Sequence, residues 1–190
     1  MSGDGVIAQL KAGHQQFIGD RQAYIEQLKQ LDTSAIITRA ERLVNNTFIF
    51  DKAWDMERCN ANVHFDGDID WHHIENGDPE WMFMINRHVF FDDLAQAYLV
   101  TADKRYVDAL RRIWTSWLDS ESDGEAMVLT TWRSLDVGIR LKTWIKVLDL
   151  LDIDADGLFD DTFISRVMAS LSDQCRYQFK HHDPNQVQSN

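Results

Sequence analysis

Apolar residues along this chain recur mainly at helical spacing. Phe17, Tyr24, Leu28 and Leu31 predict a first helix. Ile36, Ile37, Ala40, Leu43 and Val44 predict a second, with Asp32, Thr33 and Ser34 ahead of it as capping residues. From Phe48 to Asp78 the period is lost. This stretch holds Gly67, Gly77, many Asp and Asn and three aromatics (Trp54, Phe65, Trp71), and is expected to be a long ordered loop spanning 48–78. Loops of that length inside a compact domain are often functional.

At Gly77-Asp78-Pro79-Glu80 a helix start is well signalled. Asp78 can cap, Pro79 suits the first turn, and Glu80 favours the positive helix end. The helix is expected to run to about Leu99, with apolar residues round its whole circumference, from Trp81, Phe83 and Met84 to Leu94 and Tyr98. Such a helix is buried on all sides, yet Asn86, Arg87 and His88 stand in its middle. The next helix, about Asp103 to Leu118, differs. Tyr106, Leu110, Ile113, Trp114 and Trp117 make one stripe, while Lys104, Arg105, Asp108, Arg111 and Arg112 face away. After a polar loop (Asp119 to Glu125), a mostly apolar helix is expected from about Thr130 to Leu151. An amphipathic one follows from about Asp160 to Lys180, through Phe163, Ile164, Val167, Met168, Leu171 and Cys175.

Buried and surface helices therefore alternate. An up-and-down bundle does not need that alternation; an inner ring of helices wrapped by an outer ring does. The expected class is all-α: part of an incomplete α/α toroid built from antiparallel helix hairpins, as a single helical domain over residues 1–190.

Composition adds constraints. A formal charge of −12 argues against non-specific binding to nucleic acid or an anionic membrane. No run approaches the length of a membrane span. Residues Met1 to Lys11 lack a basic start followed by a long apolar run, so no signal peptide is expected in this chain and a cytoplasmic location is favoured unless a leader was removed. Cys59 and Cys175 fit no zinc or redox spacing and are expected to be free thiols. Seven tryptophans in 190 residues supply either helical core or flat faces for sugars.

The candidate chemistry lies on the apolar helices. Arg133, Asp136 and Arg140, at i, i+3 and i+7, share one helix face amid Trp132, Leu135, Ile139 and Trp144. Unpaired charges in a dry core cost several kcal/mol or more. Either these residues pair with one another and with a neighbouring helix, or they line a wet channel in which arginine grips carboxylate or sulfate in bidentate fashion. Arg87 and His88 pose the same choice. Asp152-Ile153-Asp154-Ala155-Asp156-Gly157 imitates half an EF-hand loop, but the twelfth position is Phe163 rather than a bidentate Glu, so an acidic helix connection is expected. His72-His73 and His181-His182 resemble metal ligands without a third ligand at useful spacing. No metal and no cofactor is expected.

Three stretches carry a resemblance: Trp71…Glu80-Trp81…Asn86-Arg87-His88; Leu94-Ala95-Gln96-Ala97-Tyr98-Leu99-Val100-Thr101-Ala102-Asp103-Lys104-Arg105-Tyr106; and above all Trp132-Arg133-Ser134-Leu135-Asp136-Val137-Gly138-Ile139-Arg140. From about Phe48 to the C-terminus the chain resembles the N-terminal domain of heparinase II/III-like polysaccharide lyases and of the related oligoalginate lyases. The resemblance implies an incomplete toroid followed, in a longer protein, by further helices and a β-sandwich. It also implies β-elimination on a uronic-acid-containing polysaccharide of glycosaminoglycan or alginate type. Asn or His and Arg neutralise the uronate, a Tyr or His base takes the C5 proton, and an acid, commonly Tyr, protonates the leaving oxygen. By the same resemblance Gln186-Val187-Gln188-Ser189-Asn190 opens the segment bearing the carboxylate-neutralising Asn, which makes Asn190 a catalytic candidate. Asn86, Arg87, His88, Trp81, Trp132, Arg133 and Arg140 are the substrate-binding candidates. The family's Tyr and His come later than residue 190, so the chain alone is expected to be inactive, with an acidic polysaccharide or oligouronate and the remainder of the lyase as its partners. The alternative from another class is a non-catalytic helical carbohydrate-binding or interaction module.

Overall fold

The structure, a computed structural model, describes residues 21–52, 59–121, 126–152 and 157–181, together with Ala12 and Gly124. Phe17, Trp54, His182, Asn190 and the middle of the EF-hand-like loop lie outside the described residues. Seven helices and one hairpin make up the described part: α1 (Arg21–Gln30), α2 (Ser34–Val44), β1 (Thr47–Phe50), β2 (Cys59–His64), α3 (Glu80–Asn86), α4 (Phe91–Thr101), α5 (Arg105–Ser120), α6 (Ser134–Leu150) and α7 (Asp161–His181). No helix among the described residues is long and apolar enough to cross a membrane.

The expected helices form, with informative differences at their ends. Asp32 accepts from the Ser34 amide at 3.0 Å and Asp78 from the Glu80 amide at 3.0 Å, so both signalled starts are occupied by carboxylates. The stripe on α5 is fully used: Tyr106, Leu110, Ile113, Trp114 and Trp117 are buried, and the charged residues beside them are exposed. On α7 the stripe of Phe163, Val167 and Leu171 is buried as expected. Cys175, however, turns outward, and the neighbouring Gln174 takes the inward position. The helix expected from Thr130 begins only at Ser134, because Arg133 is extended (φ −56°, ψ 136°) and residues 126–132 fold as turns. α6 is also less enclosed than its composition implies, with Leu135 exposed and Ile139, Leu141 and Ile145 half-buried.

Two expectations need correction. The stretch 48–78 is not all loop. Thr47–Phe50 and Cys59–His64 pair antiparallel, with Phe48 opposite Val63 and Thr47 opposite His64. A lone hairpin is marginal in water; this one is held by Phe48 against Phe90 (ring centroids 5.2 Å) and Phe50 against Trp81 (5.4 Å). The expected helix from Glu80 to Leu99 is in fact two. His88 adopts a left-handed backbone (φ +56°) between α3 and α4, a conformation that His tolerates better than most residues and that no continuous helix can hold.

The core gathers where α4 packs against α2, α5 and α6, and α6 against α7. Asp93, buried on α4, ties the periphery to this centre by accepting Arg39 of α2 (3.0 Å) and Lys52 beyond β1 (2.6 Å). Aromatic rings fill much of the interior, Trp114 and Trp144 meeting at 4.7 Å beneath Phe91.

Candidate functional site

The C-terminal end of α3 and the N-terminal half of α6 face each other, and the polar residues singled out on each meet there. Arg87 donates through Nε to Asp136 Oδ1 at 2.7 Å, with Glu80 4.0 Å from its Nη2. Asp136 is fully buried, and its second oxygen lies 3.7 Å from Arg133 Nε. Two guanidiniums thus address one carboxylate, the pairing that a buried charge requires.

Arg140, one turn further along, is also fully buried. Its Nε donates to Gln174 Oε1 (2.8 Å) on α7, and its Nη1 donates to the carbonyls of Asn86 (2.7 Å) and Thr131 (2.9 Å). The guanidinium lies over the Trp117 ring at 4.3 Å. Burial pushes Arg140 down to about 9, opposed by Asp136 and Glu121, so it remains a cation at neutral pH. Asn86 closes the arrangement. Its amide donates to the carbonyls of Trp71 and Met82, both at 2.8 Å, and its oxygen accepts Trp117 Nε1 at 3.0 Å.

His88 sits deeper, within an aromatic box. Trp144 Nε1 donates to His88 Nδ1 at 2.9 Å, and the rings of Phe91 (4.7 Å), Trp71 (5.3 Å) and Trp117 (5.4 Å) surround it. Accepting at Nδ1 fixes the neutral tautomer with its proton on Nε2. Burial first, then the nearby Arg140 charge, holds His88 well below the usual histidine range.

The structure therefore brings Asn86, Arg87, His88, Trp132, Arg133 and Arg140 together, and leaves Trp81 apart as the anchor of the hairpin, 4.9 Å from the His73 ring. Their accessibility is unequal. Trp81, Asn86, Arg87, His88, Trp132 and Arg140 are all at most 3 % exposed, whereas the Arg133 side chain is 32 % exposed, its guanidinium 3.6 Å above the Phe83 ring. Of the two readings left open, the paired one describes Arg87 and Asp136, with Arg140 held by neutral acceptors in the interior, and an open wall describes only Arg133. Trp132 is pinned by its own donor, Nε1 to the Glu121 carbonyl at 2.6 Å, and stacks on Trp117. One edge of it borders a cleft of about 220 Å³ shared with Leu118, Arg166, Ala169, Ser170 and Asp173. The backbone at Gly124 approaches the Trp132 ring so closely that a Cβ there would stand 2.4 Å from it.

Sequence reasoning overlooked Gln174, Thr131 and Glu121. Gln174 carried a signal, a polar residue in register with the apolar stripe of α7. Glu121 carried none, because it belongs to a polar stretch without periodicity, and Thr131 fell at the start of the helix expected from Thr130.

Comparison with known proteins places this geometry. The family model described as Heparinase II/III N-terminus matches residues 11–188. A heparin-sulfate lyase of Bacteroides thetaiotaomicron is 22 % identical over 118 residues, which are 61 % of this chain and 16 % of that protein. Among solved structures, heparan sulfate lyase HepC from Pedobacter heparinus superposes with a TM-score of 0.68 at 15 % identity, covering 96 % of this chain. A mutant of HepC does so with a TM-score of 0.68 at 16 % identity over the whole chain. The chain spans 31 % of the length of either HepC structure. At such identities the likeness establishes architecture: all-α, part of an incomplete α/α toroid with a small two-stranded sheet added. With nearly its whole length matched, the chain belongs to the Heparinase II/III N-terminus family.

Proposed function

We propose that this chain is the N-terminal toroid segment of a polysaccharide lyase that cleaves uronic-acid-containing polysaccharide by β-elimination, and that it holds substrate-binding residues but an incomplete catalytic set. The family match over residues 11–188 carries the reading. In the elimination a base removes the C5 proton, the electron pair forms the C4=C5 bond, and the glycosidic oxygen leaves with a proton from an acid. Neutralising the carboxylate stabilises the charge that develops at C5. Arg133 is the residue of this chain suited to touch that carboxylate. Arg87, Asn86, His88, Arg140 and Trp132 form and hold the wall behind it, Trp81 stands apart from it at the hairpin, and Asn190, outside the described residues, is the proposed neutralising Asn. The base and acid are assigned to the remainder of the lyase, its later helices and β-sandwich. The relation to oligoalginate lyases, and the choice between glycosaminoglycan and alginate, belong to this proposal.

The net charge of −12 does not oppose a short oligouronate. Exposed charges are screened beyond about 8 Å at physiological salt, and Arg133 places one partly exposed positive charge at the rim. The test is to supply heparan sulfate, an unsulfated glucuronan and alginate to this chain and to the longest form its gene encodes, following the ultraviolet absorbance of a 4,5-unsaturated uronate. The longer form is expected to release product from one class and this chain to bind that class without turnover. Failure of every form to act on or bind any of the three sinks the proposal. The burial of all but one binding candidate favours a second reading, a helical scaffold with buried ion pairs and no ligand. Loss of stability in Arg140→Ala, with no sugar binding by any form, would select it.

A further inference from the structure

Glu121 caps the C-terminal end of α5 and lies outside the motifs that carried the resemblance, yet its carboxylate is buried, with a side chain 3 % exposed. A carboxylate taken out of water is costly unless hydrogen bonds replace its hydration. Here Thr131 Oγ1 donates to Oε2 at 2.7 Å, and His72 Nε2 lies 3.1 Å from the same oxygen. The Glu121 backbone carbonyl, one of those that a helix end leaves without an intrahelical donor, accepts Trp132 Nε1 at 2.6 Å. One residue therefore clips two consecutive positions, Thr131 and Trp132, onto the end of α5.

The clip has further anchors. The Thr131 carbonyl accepts Arg140 Nη1 at 2.9 Å, and the Trp132 amide donates to the Met127 carbonyl at 3.0 Å. Arg133 is next in the chain, on an extended backbone ahead of α6. Its own guanidinium is held loosely by comparison, a third exposed, 3.7 Å from Asp136 and resting on Phe83. The place from which Arg133 reaches solvent is thus set mainly by the backbone before it, and that backbone is fastened through Glu121. A contacting group displaced by about 1 Å loses much of its interaction with a ligand.

We propose that Glu121 is a positioning residue for ligand binding: by holding Thr131 and Trp132 it sets the place from which Arg133 meets the saccharide. This role rests on the reading of Arg133 as the residue that touches the uronate, and adds to it a buried carboxylate that acts at one remove. A Glu121 that served stability alone would leave the affinity of the folded chain unchanged when its hold on Thr131 is broken.

The test is calorimetric titration of the whole chain with an unsulfated glucuronate-containing tetrasaccharide, under conditions in which each variant is folded. Thr131→Val removes the hydroxyl and keeps the shape, while Glu121→Asp withdraws the carboxylate by one methylene and keeps its charge. Each is expected to weaken binding about three- to tenfold, and no more than Arg133→Ala does, because each acts through Arg133. Thr131→Ser, which retains the hydroxyl, is expected to bind like wild type. In an Arg133→Ala background neither substitution should weaken binding further, since the group they position is gone. Wild-type affinity in Thr131→Val or Glu121→Asp, whichever folds, or an equal loss with and without Arg133, overturns the role of Glu121 and leaves the uronate reading standing. Arg133→Ala binding like wild type, or no binding by the wild-type chain, removes that reading as well.

Discussion

Arg133, the residue just ahead of α6, and Arg140, seven positions on within it, have opposite surroundings. Arg140 is fully buried, with donors to Gln174, Asn86 and Thr131 and a tryptophan beneath it. Arg133 is a third exposed, rests on Phe83, and meets Asp136 only at 3.7 Å. A helical wheel reports direction but not depth. Arg133 precedes α6 on an extended backbone and lies at the rim, whereas Arg140 points inward from the second turn. The buried half of the stripe is architecture and the rim half is available for binding. Substitutions along the stripe should separate these two properties.

The largest effect is expected at the link between the halves. Asp136→Ala removes the carboxylate that Arg87 addresses at 2.7 Å and leaves a buried guanidinium without its partner. Breaking a buried pair from one side costs about 3–5 kcal/mol. Denaturant unfolding should show a loss of that order; a loss below about 1 kcal/mol would mean that water or Glu80 already serves Arg87. Arg140→Ala is expected to follow at about 2–4 kcal/mol, through the cavity and the unanswered acceptors it leaves.

The next effect depends on pH. The His88 ring is held well below the usual histidine range by burial and by Arg140, and it accepts from Trp144 only while neutral. As pH falls below about 6.5, the unfolded chain takes up this proton before the folded one does. The contribution is therefore complete above about 6.5 and declines as pH drops toward the depressed folded value, at up to about 1.4 kcal/mol per pH unit. His88→Asn keeps a residue that accepts φ +56° but removes the titrating ring. Its unfolding midpoint should be lower at pH 7 and should lose this part of the decline between pH 7 and pH 5. An unchanged decline would assign it to other groups.

How much of this could be read beforehand follows from the same distinction between direction and depth. α5 and α7 were legible because one face meets core and the other water, which writes a period into the sequence. The break at His88 was not, since apolar residues continue on both sides of it and the left-handed turn is required by packing rather than by a glycine. The hairpin was hidden because β2 reads Cys-Asn-Ala-Asn-Val-His, with Val63 its single β-branched residue. Within the site, the pattern identified both arginines and Asp136. It could not identify Glu121 or Thr131, whose roles arise only when a turn after α5 folds back on the start of α6.

The smallest effect on stability is the one that bears most on function. Arg133→Ala breaks a partly exposed pair whose closest approach is 3.7 Å, and such pairs contribute about 0–1 kcal/mol. Some further loss comes from lifting the guanidinium off Phe83, worth about 0.5–1 kcal/mol at an exposed site. The variant should thus unfold within about 2 kcal/mol of wild type, clearly less affected than Asp136→Ala. Its affinity for a glucuronate tetrasaccharide should nevertheless fall about tenfold or more, because one charge-assisted contact is removed. If Arg133→Ala were as destabilising as Arg140→Ala and bound the sugar normally, the rim would be architecture too, and the contrast along α6 would mark depth without function.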